Sequence, residues 1–469
     1  MRNLILFLFY VIAAITIWLN YRNAGFRWNI ENVRLDKFRF PRGFLWGAST
    51  SAYQVEGGTA QTDWNLWENS FNKNGDSRIR DGQTAGIAVD HWNRFQDDIR
   101  LLKSQGGNAY HFSVEWSRIE PTAGQWNQPA LDHYQEMCAF LRQESVTPIV
   151  SLHHFSSPIW FCECGGFENP DSIKRFTDYA YRVGESLGKL VDFWATIDEP
   201  AAYATRGWLE GIYPPGQTEP SLCGRVLSNI MKAHAEAYYA IHDIDRFDAD
   251  GDGIPCQVGL VQHVPIFDPA HRWLITDWLA AWYKDQQANQ SVIQALLTGK
   301  FTFRTAKGFA LREDYPRLEN SVDWIGVNYT REEECKFRWN HGLEIKSDAS
   351  LMLPIADNGW TIYPAGLYRA IRTVNRLGVP IYVTGNIIDS NDPVMRRRFI
   401  LEHIDAVNEA ISDKYDVRGY LYGSLMDSFE WTEGYERKFG LFHVDRETQE
   451  RTLKEGNEVF HEIITACEK

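Results

Sequence analysis

The sequence predicts a single (β/α)8 barrel that follows an N-terminal hydrophobic segment. Short apolar strand candidates alternate with longer amphipathic helix candidates, and no Pro/Ser-rich or low-complexity linker divides the chain after residue 37. Alternation of this kind predicts a parallel sheet with helical crossovers. The eight strand candidates are, in order, FLWGAS, NAYHFSV, TPIVSLHH, VDFWATI, QVGLVQ, VDWIGVN, VPIYVT and GYLYGSL. Eight units predict a closed barrel with its site at the C-terminal ends of the strands.

The helix candidates between the strands include AVDHWNRFQDDIRLLKSQ, PDSIKRFTDYAYRVGESL and PVMRRRFILEHIDAVNEAI. A chain of 469 residues is long enough for two or three domains, but α/β barrels with insertions reach this length as one domain. We therefore divide the chain into residues 1–37, a hydrophobic segment with a polar connector, and residues 38–469, the barrel.

Composition narrows the possible ligands. The formal net charge is −14, which makes nucleic acid an unfavourable partner. The 18 tryptophans, 21 tyrosines and 26 phenylalanines suit sugar binding, although a large core also consumes aromatic side chains. The stretch DADGDG resembles the start of a calcium loop, but its twelfth position is Gly259, where such a loop needs a glutamate. We expect no metal and no cofactor, and composition does not indicate an oligomeric state.

The N-terminus predicts a membrane anchor. Residues 4–19 are uncharged and nearly all apolar, and more basic residues follow the segment than precede it. No clear signal-peptidase site follows, so an uncleaved anchor is favoured over a cleaved signal. The seven cysteines are odd in number and scattered, which favours reduced thiols. These features predict a membrane-anchored protein with a cytoplasmic barrel; the alternative is a secreted protein.

The end of the fourth strand candidate carries two adjacent carboxylates. In FWATIDEP, Asp198 and Glu199 precede Pro200 at the position where barrel enzymes do their chemistry. Adjacent acids are also common on ordinary surfaces. A partly desolvated glutamate at such a strand end has a raised pKa and can serve as a general acid.

The chain resembles glycoside hydrolase family 1, the β-glucosidase family, over roughly residues 38–465. The resemblance rests on FPRGFLWGASTSAYQVEGG, EWSRIEP, LHHF, WFCECGGFENP, GWTIYPAGLY and SLMDSFEWTEGYERKFGLFHVD, which occur in the family's order. It implies that Glu199 is the acid/base of a β-glycosidase. The residues that it places against the sugar are Gln54, His154, Asp198, Asn328, Glu430 and Trp431.

The chain departs from the family pattern at the nucleophile. The family has Thr-Glu-Asn-Gly after its seventh strand, whereas this chain has Thr384-Gly385-Asn386-Ile387. Retaining glycosidases need two carboxyl groups about 5–5.5 Å apart, one to attack and one to donate a proton. Glycine can do neither, so the resemblance implies a vacant nucleophile position at Gly385.

Further departures surround that position. The family's arginine beside the nucleophile is replaced by His111, and its asparagine before the acid/base by Asp198. Its Asn-Tyr-Tyr reads Asn328-Tyr329-Thr330, where a one-residue deletion would let Tyr329 cover part of the lost tyrosine's role. The family's tryptophan beneath the reacting sugar is replaced by Gly423.

Three functional hypotheses follow. The first is a β-glucosidase-like hydrolase, or pseudoenzyme, that binds β-linked glycosides and is impaired in retaining hydrolysis; a variant of it is a transglycosylase that uses activated donors. The second is a non-catalytic, membrane-tethered protein that binds a carbohydrate or glycolipid. The third is a scaffold with a vestigial pocket. Turnover of a chromogenic glycoside separates the first from the others, and sugar binding without turnover separates the second from the third.

Overall fold

The structure, a computed structural model, describes residues 2–22, 33, 35–59, 61–305, 308–338, 342–346 and 353–467. Its strands are β1 Leu45–Thr50, β2 Ala109–Ser113, β3 Thr147–His153, β4 Phe193–Asp198, β5 Gln257–His263, β6 Ile266–Pro269, β7 Lys300–Arg304, β8 Ala310–Asp314, β9 Trp324–Tyr329, β10 Glu332–Arg338, β11 Gly342–Lys346, β12 Ile381–Asn386, β13 Val417–Gly423, β14 Phe442–Val444 and β15 Arg451–Leu453.

Helices connect these strands. They are α1 Arg2–Arg22, α2 Ala52–Val55, α3 Asp63–Glu68, α4 His91–Ser104, α5 Trp116–Ile119, α6 Gln128–Gln143, α7 Ile159–Glu163, α8 Ser172–Leu187, α9 Pro200–Thr205, α10 Pro220–Ile244, α11 Ile275–Asp285, α12 Ser291–Thr298, α13 Pro364–Val374, α14 Pro393–Ser412 and α15 Glu458–Cys467. A π-helical turn, Arg206–Glu210, directly continues α9, and another, Gln286–Gln290, joins α11 to α12.

Eight parallel strands close into a barrel in the order β1-β13-β12-β9-β5-β4-β3-β2. All eight sequence-predicted strands are strands of this barrel, so the (β/α)8 prediction is confirmed. In a ring of eight, each strand has one strand directly opposite. The ring order places β13 opposite β4, and β12 beside β13.

Apolar side chains fill the N-terminal half of the barrel. Phe193, Trp324 and Tyr382 stand at or near the starts of their strands and pack edge to face, with ring centroids 5.5–6.4 Å apart. Gly259 on β5 is required there, because a Cβ would lie 2.4 Å from the indole of Trp324. The barrel interior is therefore packed with apolar side chains at this end.

A small sheet of β6, β10 and β11 stands beside the mouth of the barrel. A buried ion pair between Asp268 on β6 and Arg369 on α13 holds it, with Nη2 of the arginine 2.9 Å from Oδ1 of the aspartate. The sheet presents Phe267 and Glu333 to the mouth of the barrel.

The N-terminal segment is helical, as its composition predicts, and most of its apolar side chains are exposed. Near the end of α1, Asn20 donates from Nδ2 to the carbonyl oxygen of Arg272 at 2.8 Å. Among the residues that the structure describes, no helix is long and apolar enough to cross a membrane. The predicted anchor at residues 4–19 is therefore not supported, and part of its predicted connector, residues 23–32, lies outside the described residues.

Candidate active site

A cavity of about 510 Å³ opens at the C-terminal ends of the barrel strands. Most of the sequence-predicted site residues meet there, although they come from segments spread over almost the whole chain. The predicted residues that line the cavity are Gln54, His154, Glu199, Asn328, Gly385, Glu430 and Trp431. The strand-end rule for barrels therefore located the cavity correctly.

Glu199 is aimed into the cavity by an unusual backbone. Its φ of 51° and ψ of 54° lie in the left-handed region, between the end of β4 and the start of α9 at Pro200. The β4–β5 pairing is irregular just before it, and the backbone N–H of Glu199 donates to the carbonyl of Val261 at 2.7 Å. A non-glycine residue in this conformation costs free energy, and such strain concentrates at functional sites.

The charge of Glu199 is set by its neighbours. Burial raises its pKa, but His263, Arg206 and a hydrogen bond from Asn328 outweigh burial and hold the pKa below its ordinary value. Burial also lowers the pKa of His263, which leaves Arg206 as the permanent positive charge beside the carboxylate. Glu199 is consequently ionised at neutral pH.

The amide of Asn328 lies between Glu199 and Gly385. Its Nδ2 donates to Oε1 of Glu199 at 2.7 Å, and its Oδ1 accepts from Oγ1 of Thr384 at 2.8 Å. A Cβ built on Gly385 would lie 2.7 Å from Oδ1 of Asn328. The amide therefore occupies the space into which a side chain at residue 385 would begin to grow.

Two glycines make the cavity floor on the far side from Glu199. Gly423 ends β13, directly opposite β4 in the ring, and Gly385 lies on the adjacent strand β12. A Cβ on Gly423 would lie 3.4 Å from Cα of Gly385, so the two backbones are in contact. It would also lie 3.1 Å from Oγ of Ser49 and from Ile387, which flank the floor. Bare backbone of this kind allows a ligand to approach closely.

Asp198 lies beneath the cavity surface, not on it. Its side chain is fully buried, with Oδ1 3.7 Å from Nε2 of His111 and Oδ2 3.6 Å from Nδ1 of His154. Burial raises the pKa of Asp198 well above its usual value and lowers those of His111 and His154 to about 3 and about 4. The histidine that replaces the family's arginine therefore brings no positive charge at neutral pH.

Two hydrogen bonds hold the carboxylate of Glu430 in the wall of the cavity. Its Oε2 accepts from Nε2 of Gln54 at 2.9 Å, and its Oε1 accepts from Oγ of Ser428 at 2.8 Å. Burial raises the pKa of Glu430 to about 7. Gln54 also donates to the carbonyl of Phe429 at 2.9 Å, which orients its amide.

Trp431 forms part of an aromatic wall. Its ring is nearly parallel to that of Tyr53, with an interplanar angle of 9° and centroids 6.0 Å apart. His154 stacks at 24° and 6.0 Å, and Trp64 packs at 4.6 Å. A rigid indole in a cavity offers an apolar face and an N–H donor, which suits a sugar ring.

Two residues beside Glu199 were not predicted from sequence. His263 ends β5, so a systematic inspection of strand ends would have found it. Arg206 begins the π-helical turn after α9 and donates to the hydroxyl of Tyr213 at 2.6 Å; its sequence context carries no signal. Conversely, Tyr329 does not cover the lost tyrosine's role, because its hydroxyl donates outward to the carbonyl of Tyr363 at 2.9 Å.

One group of acidic side chains in the described part of the chain is close enough to share a metal ion: Asp248, Asp250 and Asp252. All three are exposed, and Asp248 accepts hydrogen bonds from backbone N–H groups of its own loop. The loop precedes β5 and so lies at the end of the barrel opposite the cavity. It takes no part in the candidate site.

The parallel barrel and its cavity of carboxylates, imidazoles and indole define a protein of the glycosidase type. The sequence model of glycosyl hydrolase family 1 matches residues 36–469, and the chain belongs to that family. The family expected from the motifs is therefore confirmed.

Known relatives agree with this assignment. The chain is 29% identical over 450 residues to the 1,4-beta-D-glucan glucohydrolase of Thermotoga neapolitana, covering 91% of this chain and 98% of that protein. The beta-glycosidase from Pyrococcus horikoshii has a TM-score of 0.82 and 36% identity, over 92% of this chain and 96% of that one. The beta-glucosidase from Thermotoga maritima in complex with glucoimidazole has a TM-score of 0.82 and 27% identity, over 92% and 99%.

Proposed function

We propose that this family 1 member binds β-linked glycosides in its cavity, with Glu199 in the acid/base position, and that its retaining hydrolysis is impaired. The observation that carries the proposal is the environment of Gly385: the position has no carboxylate, and the amide of Asn328 fills the start of the space that one would need. Retaining hydrolysis requires a second carboxylate about 5–5.5 Å from the first.

Two of the other glutamates that line the cavity, Glu430 and Glu333, are poor substitutes for that carboxylate. Glu430 is held by Gln54 and Ser428 and has a raised pKa, so it is a weaker anion at neutral pH. Glu333 pairs with Arg331 at 3.3 Å on the small sheet beside the mouth. Both are engaged on walls other than the glycine floor.

The negative charge of Glu199 is a second reason, besides the missing nucleophile, why hydrolysis is impaired. A general acid must hold a proton when the leaving group departs. Burial raises the pKa of Glu199, but His263, Arg206 and the hydrogen bond from Asn328 favour the charged carboxylate and hold the pKa below its ordinary value. At neutral pH the proton that an aryl or sugar leaving group needs is therefore scarce.

The proposed binding of β-linked glycosides rests on positions where the chain keeps the family's sugar-binding residues. Gln54, Glu430 and His154 present polar atoms to the cavity, and Trp431 presents its indole. The similar beta-glucosidase from Thermotoga maritima is found in complexes with glucoimidazole and with castanospermine. By analogy, the ligand here is a small glycoside whose sugar ring packs against Trp431.

The test is kinetic and thermodynamic. We expect wild-type protein to hydrolyse 4-nitrophenyl β-glucoside very slowly or not at all, with a barrier higher by about 5 kcal/mol or more than that of an intact retaining enzyme. Calorimetric titration with a non-hydrolysable thio-β-glucoside should show saturable binding. Trp431→Ala should weaken this binding, whereas exposed Trp273→Ala is the matched control and should not.

Ordinary glycosidase turnover that Glu199→Gln abolishes would contradict the proposal, because another residue would then supply the nucleophile. Absence of both turnover and binding would favour a scaffold with a vestigial pocket. Binding with slow turnover would support an impaired hydrolase, and binding without any turnover would agree with the proposal in its limiting form, a non-catalytic carbohydrate binder.

A further inference from the structure

We propose that an apolar surface on the outside of helix α11 docks on the surface of a lipid bilayer, together with helix α1 beside it. This surface, the α11 patch, consists of Trp273, Leu274, Leu279 and Trp282. The interaction is peripheral, because the side chains enter the boundary between headgroups and acyl chains and no helix has to cross the bilayer. The docking itself does not depend on what the cavity binds.

The α11 patch is apolar where the outer face of a surface helix is normally polar. Trp273 is 73% exposed and Leu279 58%, and Leu274 and Trp282 are at least half exposed. Within Ile275–Asp285, which the structure describes in full, Leu279 and Trp282 are the only exposed residues, and the others are buried or half-buried. Exposed apolar side chains grouped in this way mark an interaction surface.

The geometry of α11 makes the patch continuous and turns it away from the protein. Leu279 and Trp282 are three residues apart, so they are neighbours on one face of the helix. Half-buried Ile275 lies four residues before Leu279 and joins this face to the start of the helix. Ala280 and Ala281 are buried on the opposite side, against the small sheet of β6, β10 and β11. The face that carries Leu279 and Trp282 therefore points outward.

Helix α1 extends this apolar surface. Asn20 donates from Nδ2 to the carbonyl oxygen of Arg272 at 2.8 Å, and Nε of Arg272 donates back to Oδ1 of Asn20 at 3.1 Å. Arg272 directly precedes Trp273, so the end of α1 lies beside the patch. The residues from Leu6 to Ile12 are all exposed, and seven residues span nearly two turns. A helix that is apolar on all sides is stable in a large core or in lipid.

The two surfaces together favour a bilayer over a protein as the occupant. Two of the four residues of the patch are tryptophans, whose rings combine an apolar body with an N–H donor and suit the headgroup boundary of a membrane. Acyl chains can surround α1 on all sides, whereas a groove on a second protein covers only one face of a helix. A bilayer therefore accounts for both surfaces at once.

The charges around the α11 patch are compatible with phosphate headgroups. Arg272 and Lys284 flank the patch along the chain. Asp277 is buried and accepts from a backbone N–H of β10 at 3.0 Å, and Asp285 accepts from the side-chain amide of Asn289 at 2.8 Å. The net charge of −14 opposes approach to an anionic surface, but charges beyond about 10 Å are screened at 0.1 M salt. Burial of apolar side chains therefore supplies most of the affinity.

Docking at the α11 patch brings the cavity mouth close to the headgroups. Phe267 packs beneath α11 on the small sheet and also lines the cavity, as does Lys284. Only the thickness of one helix, about 10–12 Å, separates the patch from these residues. If the cavity binds β-linked glycosides, a consequence that rests on the proposed function, those attached to lipids are within its reach.

The experiment measures flotation of the full chain with vesicles of phosphatidylcholine and phosphatidylglycerol. We expect the wild-type protein to float with the vesicles. The combined variant Trp273→Ser, Leu274→Ser, Leu279→Gln and Trp282→Gln should lower the partition coefficient about tenfold or more, because it removes the apolar area that the bilayer buries. The circular dichroism spectrum and Tm of the variant should be unchanged, because all four side chains are exposed.

A matched control and a direct contact measurement accompany flotation. Phe71→Ser combined with Val394→Ser removes apolar residues that are equally exposed elsewhere on the surface, and it should float like the wild type. Lipids brominated on their acyl chains quench tryptophan fluorescence on contact. Trp282→Phe should lose part of the quenching that the wild type shows, because Trp282 is one of the rings that enter the bilayer.

The outcomes separate this inference from the proposed function. Absence of flotation of the wild type overturns the inference, and so does flotation of the combined variant at the wild-type level, which would assign binding to α1 alone. Self-association without lipid that the combined variant abolishes, measured by sedimentation velocity, would make a second copy the occupant and also overturn it. Binding of the soluble thio-β-glucoside should be the same in both proteins. Its absence, with flotation intact, would contradict only the proposed function.

Discussion

Asn328 donates a hydrogen bond of 2.7 Å from Nδ2 to Oε1 of Glu199, while its Oδ1 lies only 2.7 Å from the position that a Cβ on Gly385 would take. One amide thus stabilises the charge of the remaining carboxylate and also fills the beginning of the empty position. Loss of a side chain at residue 385 and ionisation of Glu199 are therefore linked in one geometry.

Removing that amide should change the titration of Glu199. In Asn328→Ala the pKa of Glu199 should rise, because the hydrogen bond favours the charged form of the carboxylate. The measurement is a carbon-13 NMR titration of the glutamate carboxyl groups. Asn74→Ala, in an exposed turn, is the control and should leave the signal unmoved. An unchanged Glu199 titration in Asn328→Ala would show that Arg206 and His263 alone determine its charge.

Reintroducing a glutamate at the vacant position should restore little hydrolysis. The Cβ of Gly385→Glu meets Asn328 at 2.7 Å, and neutral His111 cannot balance a second carboxylate near Glu199. We expect a gain in kcat/KM on 4-nitrophenyl β-glucoside of less than about tenfold, out of the several powers of ten that are missing.

Restoring the family's residues around position 385 as well should raise hydrolysis further. Adding His111→Arg and Gly423→Trp to Gly385→Glu should raise kcat/KM by more than the single changes combined, because groups that act as a unit are not additive. The tryptophan must displace Ile387 and Ser49, which would lie 3.1 Å from its Cβ. A triple variant no better than Gly385→Glu would show that the barrel has diverged beyond these three positions.

A small anion should partly replace the missing nucleophile. With 2,4-dinitrophenyl β-glucoside, whose leaving group needs no proton, azide should raise turnover and yield α-glucosyl azide, because attack comes from the side of the glycine floor. The product is identified by NMR. Gly423→Ala narrows the floor beside Ile387 and Ser49 and should reduce the azide effect. Formation of β-glucosyl azide would place the attacking anion on the side of Glu199 instead.

Glu430 should make stability fall as pH rises. Its pKa is near 4.5 when unfolded and about 7 in the folded protein, so the native state binds more protons between these values. The contribution is fully present below pH 4.5 and is lost as pH rises through 7. Glu430→Gln should flatten the pH dependence of the free energy of unfolding in that window by on the order of 3 kcal/mol. Denaturant unfolding at several pH values measures it, with exposed Glu447→Gln as control.

Helix α1 should contribute little to the stability of the barrel. Most of its apolar side chains are exposed, so deleting residues 2–22 removes little buried apolar area. We expect calorimetry to show a Tm within a few degrees of the full chain. A much larger loss would mean that contacts such as that between Asn20 and Arg272 support the barrel.

Much of the fold could be predicted from the sequence, because each strand and helix is indicated by a local pattern of residues. Each barrel strand is a short apolar run bounded by helical stretches, and strands buried on both faces show this pattern without reference to their partners. The glycine at residue 385 is likewise visible in the sequence, since the surrounding motifs identify its position. His263 could have been found in the same way, from the end of β5.

By itself, then, the sequence determined the barrel, the end at which the cavity lies and most of the predicted residues that meet there. Only the tertiary structure decided that Asn328 fills the space at Gly385, that Asp198 lies beneath the cavity against His111 and His154, and that Gly423 faces Glu199. These are contacts between residues far apart in the chain. They depend on how the strand ring closes and on which rotamers the packed neighbours allow, and no local pattern of residues encodes either.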